Sequence, residues 1–219
     1  MTVVVEACVD SLDAARAAER AGAARLELCA NLAVGGTTPS SELVRSVAAA
    51  VSIPVFAMVR PRAGSFVFDD AEIATMLAHV ARLRDAGAHG VVIGALTAGG
   101  AVNSRAVHAL VQASRPLPVT FHKAFDVIDD QPAAVERLIE AGVQRVLTSG
   151  GAPTAREGCT RLGELARQAN GRIVIMPGGG VRASNVAAIV HATGAREVHA
   201  RCGADGSTIA GIVSAIGDR

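Results

Sequence analysis

Four times along the chain a helical pattern of apolar positions stops at a glycine, and a β-rich apolar run follows within about three residues. Ala21-Gly22-Ala23 leads into Leu26-Glu27-Leu28, and Ala86-Gly87-Ala88 into Val91-Val92-Ile93. Ala141-Gly142-Val143 leads into Val146-Leu147-Thr148, and Thr193-Gly194-Ala195 into Glu197-Val198-His199. Glycine just past a helix accepts the left-handed conformation without steric cost, so each junction reads as a helix end followed by a buried strand.

Extended in both directions, the pattern predicts strands at residues 3–8, 25–31, 53–59, 90–95, 117–122, 146–148, 172–176 and 197–200. Helices are expected from Asp10 and Ser11, good N-cap types, to Gly22, then near 41–50, 69–86, 104–114, up to Gly142, and near 157–169, 183–192 and 207–216. In the third of these, Ile73, Met76, Leu77, Val80 and Leu83 recur at helical spacing. The strands are near-continuous apolar runs, as expected of a parallel sheet covered on both faces. The loops after strands two, three, four, six and seven are longer and rich in Gly and Pro, whereas the helix-to-strand junctions are short. Strands and helices alternating evenly with this asymmetry predict an α/β fold, a single-domain (β/α)8 TIM barrel over residues 1–219, with its site at the C-terminal mouth. A doubly wound open sheet is the alternative, but the first strand is not followed by G-x-G-x-x-G.

Composition narrows the function. The chain carries 21 basic and 20 acidic residues and neither Trp nor Tyr, which argues against a nucleic-acid or membrane-surface partner. No apolar run is long enough to span a bilayer, and the N-terminus lacks a signal-peptide pattern, so a soluble cytoplasmic protein is expected. The four cysteines, Cys8, Cys29, Cys159 and Cys202, have no CxxC spacing; in a reducing compartment they are free thiols or soft-metal ligands.

The strand ends gather the chemistry: Glu6, Cys8, Glu27, Cys29, Arg60, Arg62, His122, Lys123, Asp126, Thr148, Ser149, His199 and Arg201. Residues two apart on a strand face the same way, so Glu6 shares a face with Cys8, and Glu27 with Cys29. Two thiolates on neighbouring strands can meet one soft ion such as Cu(I); the alternative, which free cysteines more commonly follow, is a buried small hydrophobe. Glu6, Glu27, Arg60, His122 and His199 are the candidate catalytic residues of a barrel enzyme. In that reading Glu27 or His122 serves as acid or base on a small anionic or phosphorylated metabolite. Arg62, Lys123, Ser149 and the run Gly178, Gly179 and Gly180 before a helix are candidate anion-binding elements. A structural ion-pair layer is the plain alternative for the charged residues. No organic cofactor is indicated, since the chain has no P-loop or dinucleotide fingerprint.

Taken together, Glu6-Ala7-Cys8-Val9-Asp10-Ser11, Glu27-Leu28-Cys29, the loop Gly35-Gly36-Thr37-Thr38-Pro39-Ser40, Arg60-Pro61-Arg62, Gly94-Ala95-Leu96-Thr97, His122-Lys123-Ala124-Phe125-Asp126, Thr148-Ser149-Gly150-Gly151 and Met176-Pro177-Gly178-Gly179-Gly180 resemble the CutC copper homeostasis family. The resemblance runs from the first strand to the last. It implies a TIM barrel in the cytoplasm, a homo-oligomer (dimer or tetramer), and a role in copper homeostasis with Cu(I) on Cys8 and Cys29. The sequence departs from the family's His-Arg-Ala-Phe-Asp at Lys123, which keeps the charge but loses the planar fork.

Overall fold

The computed structural model describes residues 3–217. Eight parallel strands alternate with eight α-helices: β1 (Val4–Val9), α1 (Leu12–Arg20), β2 (Arg25–Leu28), α2 (Ser41–Ala50), β3 (Val55–Met58), α3 (Asp70–Asp85), β4 (Gly90–Ile93), α4 (Ser104–Ser114), β5 (Val119–Phe121), α5 (Gln131–Ala141), β6 (Arg145–Thr148), α6 (Cys159–Ala169), β7 (Val174–Pro177), α7 (Ala183–Thr193), β8 (Glu197–Arg201) and α8 (Ser207–Gly217). Each strand from β1 to β6 pairs with the next, β1 also pairs with β8, and a bridge from Gly178 to His199 joins the two ends of the sheet. This is the expected (β/α)8 TIM barrel. No helix among the described residues is long and apolar enough to cross a membrane.

The four junction glycines behave as their positions require: Gly22, Gly87, Gly142 and Gly194 all have φ between 67° and 93°. Helix starts are set by side-chain caps. Ser11 Oγ accepts from Ala14 N–H, Ser40 Oγ from Leu43 N–H, and Asp69 forms a reciprocal capping box with Glu72. Two short 3-10 helices, Leu32–Val34 and Lys123–Val127, lie in loops that the apolar pattern does not resolve.

Strand parity divides the interior. Val5, Ala7, Val9, Leu26, Leu28, Val55, Ala57, Val91, Ile93, Val119, Phe121, Val146 and Val198 join the large apolar cluster between sheet and helices. Burying one of the Val, Leu, Ile or Phe side chains contributes about 1.5–3 kcal/mol. The alternate positions form a different set. Cys8, Cys29, Phe56, Met58 and Val92 make a small separate cluster, and Glu6, Arg25, Glu27, Thr120, His122 and His199 are buried polar residues. The barrel is therefore held from outside by its apolar jacket and lined inside with charge.

Candidate metal and anion site

The lowest layer of this lining is an ion-pair chain. Arg25 bonds Glu6 through Nε and Glu197 through Nη2, and Arg145 Nε reaches the same Glu197 oxygen at 3.1 Å. Both guanidinium groups stand 5.1 Å from the centre of the Phe56 ring. Two carboxylates and two guanidiniums balance, which is what makes so much buried charge tolerable.

Above this layer sits His199. Its Nδ1 lies 2.8 Å from Glu6 Oε1, and its Nε2 lies 3.7 Å from Glu27 Oε2. Burial alone would depress the imidazolium, but the charges and hydrogen bonds of Glu27, Cys8 and Glu6 outweigh it and raise the His199 pKa well above its usual value. Burial pushes the Glu6 carboxyl up, yet His199 and Arg25 more than reverse this and hold it at about 2. Glu27 moves the other way: burial, with a further push from Glu6, raises it. Two glutamates at strand ends thus have opposite characters. Glu6 is held as the anion, whereas Glu27 keeps its proton to higher pH than an ordinary glutamate.

The β1–β2 register sets Cys8 opposite Glu27, not opposite Cys29. As a result Cys8, Glu27 and His199 bring one ligand atom each to within 4.8 Å of one another. Glu27 Oε1 is buried without a hydrogen-bond partner, although both thiols approach the carboxyl. The neighbouring Cys29 thiol, burial and the Glu27 charge all push the Cys8 thiol well up. Cys29 itself is 1% exposed and packs with Met58 and Phe56; a Cβ on Gly36 would lie 3.0 Å from its sulfur. The two cysteines expected to act as a pair are adjacent, but only Cys8 lines the open cavity.

That cavity, of about 370 Å³, lies at the mouth of the barrel and is lined by Cys8, Glu27 and His199 on one side and Arg60 and His122 on another. Arg60 is 5% exposed, and its terminal nitrogens donate to the carbonyls of Val34, Gly36 and Gly64. Its Nε is buried without an acceptor, and no carboxylate pairs with it among the described residues. His122 Nδ1 accepts from Ala124 N–H at 3.1 Å, which assigns the proton to Nε2. That Nε2 is also buried without a partner. Burial and the Arg60 charge lower the His122 pKa to about 3, so its ring is neutral near neutral pH.

Close backbone approach fixes the ring. A Cβ on Gly94 would lie 2.2 Å from His122 Cε1. Gly94→Ala is expected to cost roughly 2 kcal/mol or more in thermal unfolding, and His122→Ala on top of it should recover much of that loss. A cost below about 0.5 kcal/mol for Gly94→Ala would show that the contact does not constrain the ring.

The remaining expected residues separate. Lys123 lines the cavity, pairs with Asp126 at 2.7 Å and donates to Ser149 Oγ at 2.9 Å. Asp126 also accepts from Thr148, Ser149 and Gly151, so this group staples the loops after β5 and β6. Ser149 is fully buried in that staple and does not line the cavity. Arg62 is absent from the cavity wall; it bonds the capping-box Glu72 and stacks 4.9 Å from the Phe68 ring. Gly179 and Gly180 line the cavity with left-handed φ of 103° and 71°, whereas Gly178 continues the sheet through its bridge to His199. Arg182 and Phe66 complete the wall and had no sequence signal beyond their place in loops; Arg201 also lines it, at the end of β8. Chemically, the site offers a soft sulfur, an imidazole and a carboxylate for a cation, and unpaired donors for an anion.

Comparison with known proteins agrees with this layout. Residues 3–204 match the model of the CutC family. The chain is 46% identical over 209 residues to the copper homeostasis protein cutC homolog of Mus musculus, spanning 95% of this chain and 76% of that protein. It is 44% identical over 195 residues to a family protein CutC of Pasteurella multocida (strain Pm70), spanning 89% and 80%. The crystal structure of CutC from Streptococcus agalactiae matches with a TM-score of 0.86 and 35% identity, covering 90% of this chain and 98% of that one.

Proposed function

The chain belongs to the CutC family, and we propose that it serves copper homeostasis by binding Cu(I) in the barrel mouth. The observation that carries this reading is the convergence of Cys8, Glu27 and His199 within 4.8 Å at the cavity floor. Thiolate and imidazole suit copper, whereas a carboxylate suits harder ions. Cys8 Sγ and His199 Nε2 are therefore the principal ligands, the Cys29 sulfur behind Cys8 is the additional soft donor, and the Glu27 carboxyl is an auxiliary group. The donor set fits such an ion in a further respect. Glu6 occupies the other nitrogen of His199, the carboxylate–imidazole–metal arrangement that fixes a ligand's tautomer and aim. The copper role named for the mouse relative supports the reading.

Both principal ligands keep their protons to higher pH than usual, because the Cys8 thiol and the His199 imidazolium are each raised well above their usual values. Binding Cu(I) releases both protons, so affinity rises with pH by roughly tenfold per proton per pH unit. Anaerobic competition titrations from pH about 6 to about 8 are expected to show affinity rising with pH, by about one decade per unit for each proton still bound. A flat profile would mean that neither protonated group is displaced. In the reading's favour too, Cys8→Ser should bind at least tenfold more weakly than Cys29→Ser, since only Cys8 faces the cavity.

A further inference from the structure

The Cu(I) reading leaves half of the cavity unexplained. His122 and Arg60 line it, are 4% and 5% exposed, and each carries a buried N–H donor without an acceptor. Buried donors are nearly always satisfied, and leaving one unpaired costs about 1–3 kcal/mol. Neither atom is needed to hold its own loop: Arg60 already binds three carbonyls through its other nitrogens, and His122 already caps the following turn through Nδ1. Charge around the cavity is unbalanced too. Arg60, Arg182 and Arg201 line the cavity, and none of them has an ion pair among the described residues. The Arg182 guanidinium donates to the Val181 carbonyl, with no carboxylate partner among the described residues. Leu32, Met58, Phe66 and Leu147 supply apolar wall between these groups.

From this arrangement we infer that the cavity is a binding site for a small organic oxyanion, a phosphate or carboxylate compound that also carries a carbonyl or hydroxyl oxygen. Its anionic group meets Arg182, Arg201 and the backbone at Gly179 and Gly180. Its second oxygen accepts from His122 Nε2–H and Arg60 Nε–H. Its carbon skeleton rests on Phe66 and Leu147. A neutral imidazole is the right donor for such an oxygen: it gives a hydrogen bond without adding a further charge to a wall already rich in cations. A bare inorganic ion satisfies the charge but leaves the apolar wall and one set of donors unused. The cavity is of the size that small-molecule sites commonly have.

The test is isothermal titration of the metal-free full chain and of Cys8→Ser with glycerol phosphate, pyruvate, lactate and inorganic phosphate. Saturable binding of an organic phosphate or an organic carboxylate is expected in both proteins, with the stronger arm identifying the anionic group. The affinity should fall about tenfold to a hundredfold in His122→Leu, stay near wild type in His122→Gln, which keeps a donor, and fall as salt rises or in Arg182→Ala. The Gln variant guards against a folding defect. Three results would overturn the inference: no organic anion binds either protein, inorganic phosphate binds as tightly as every organic probe, or His122→Leu binds as well as wild type. Cu(I) binding without anion binding removes this inference and leaves the copper reading intact; anion binding in a chain that takes no Cu(I) does the reverse.

Discussion

Glu6→Ala is expected to destabilise the barrel by roughly 3–5 kcal/mol, the cost of breaking a buried charge network from one side. Glu6 is fully buried and is shared by Arg25 and His199. Removing it leaves Arg25 with Glu197 alone and His199 without its Nδ1 acceptor. Glu6→Gln, which keeps the shape, should lose a similar amount, because the charge and not the volume is what the two cations require. The pH dependence has a definite sign. The carboxyl stands at about 2 against an ordinary 4.5, so its contribution is complete above pH 4.5 and is lost as pH falls through 2. His122, neutral down to about 3 against an ordinary 6.5, acts in the same direction over a higher window: its contribution is complete above 6.5 and lost toward 3. His199, whose pKa is raised, opposes them and stabilises on the acid side. Chemical unfolding across this range should therefore show wild-type stability falling with acid, and Glu6→Gln should lack the lower part of the fall. A Glu6→Ala cost below about 1 kcal/mol would mean the network contributes no more than a surface pair.

The second large effect is on metal. Cys8→Ser is expected to weaken Cu(I) binding by about a hundredfold or more, since serine replaces the cavity-facing thiol with a hard oxygen. Glu6→Gln should weaken it by about tenfold to a hundredfold without touching a ligand, by loosening the aim of His199. The two effects separate coordination from orientation.

Much of this was readable from the chain, and the exceptions have physical causes. The eight units followed from apolar runs and junction glycines, and α2 and α4 fall on the expected 41–50 and 104–114. β5 stops at Phe121, one residue short, because His122 uses its own side chain to cap the 3-10 turn that follows. Parity put Glu6 with Cys8 and Glu27 with Cys29 on shared faces, which the fold turns inward. It could not give the stagger between strands, which sets Cys8 beside Glu27 and places Glu6 one layer lower, against Arg25. The same limit hid the chain Arg25–Glu197–Arg145, whose members are far apart in sequence and meet only on closure. Arg62 carried a legible warning: Asp69 and Glu72 form a capping box that offers it a nearby carboxylate. Arg62 stays off the cavity wall, and Arg182, which only the folded loop brings there, lines it instead.

The measurement that bears most directly on the copper reading is an anaerobic Cu(I) competition titration of the wild type against the Cys8→Ser/Cys29→Ser double variant, with circular dichroism to verify that both are folded. The reading expects tight binding by the wild type and its loss in the double variant. Equal affinity in the two proteins would contradict it.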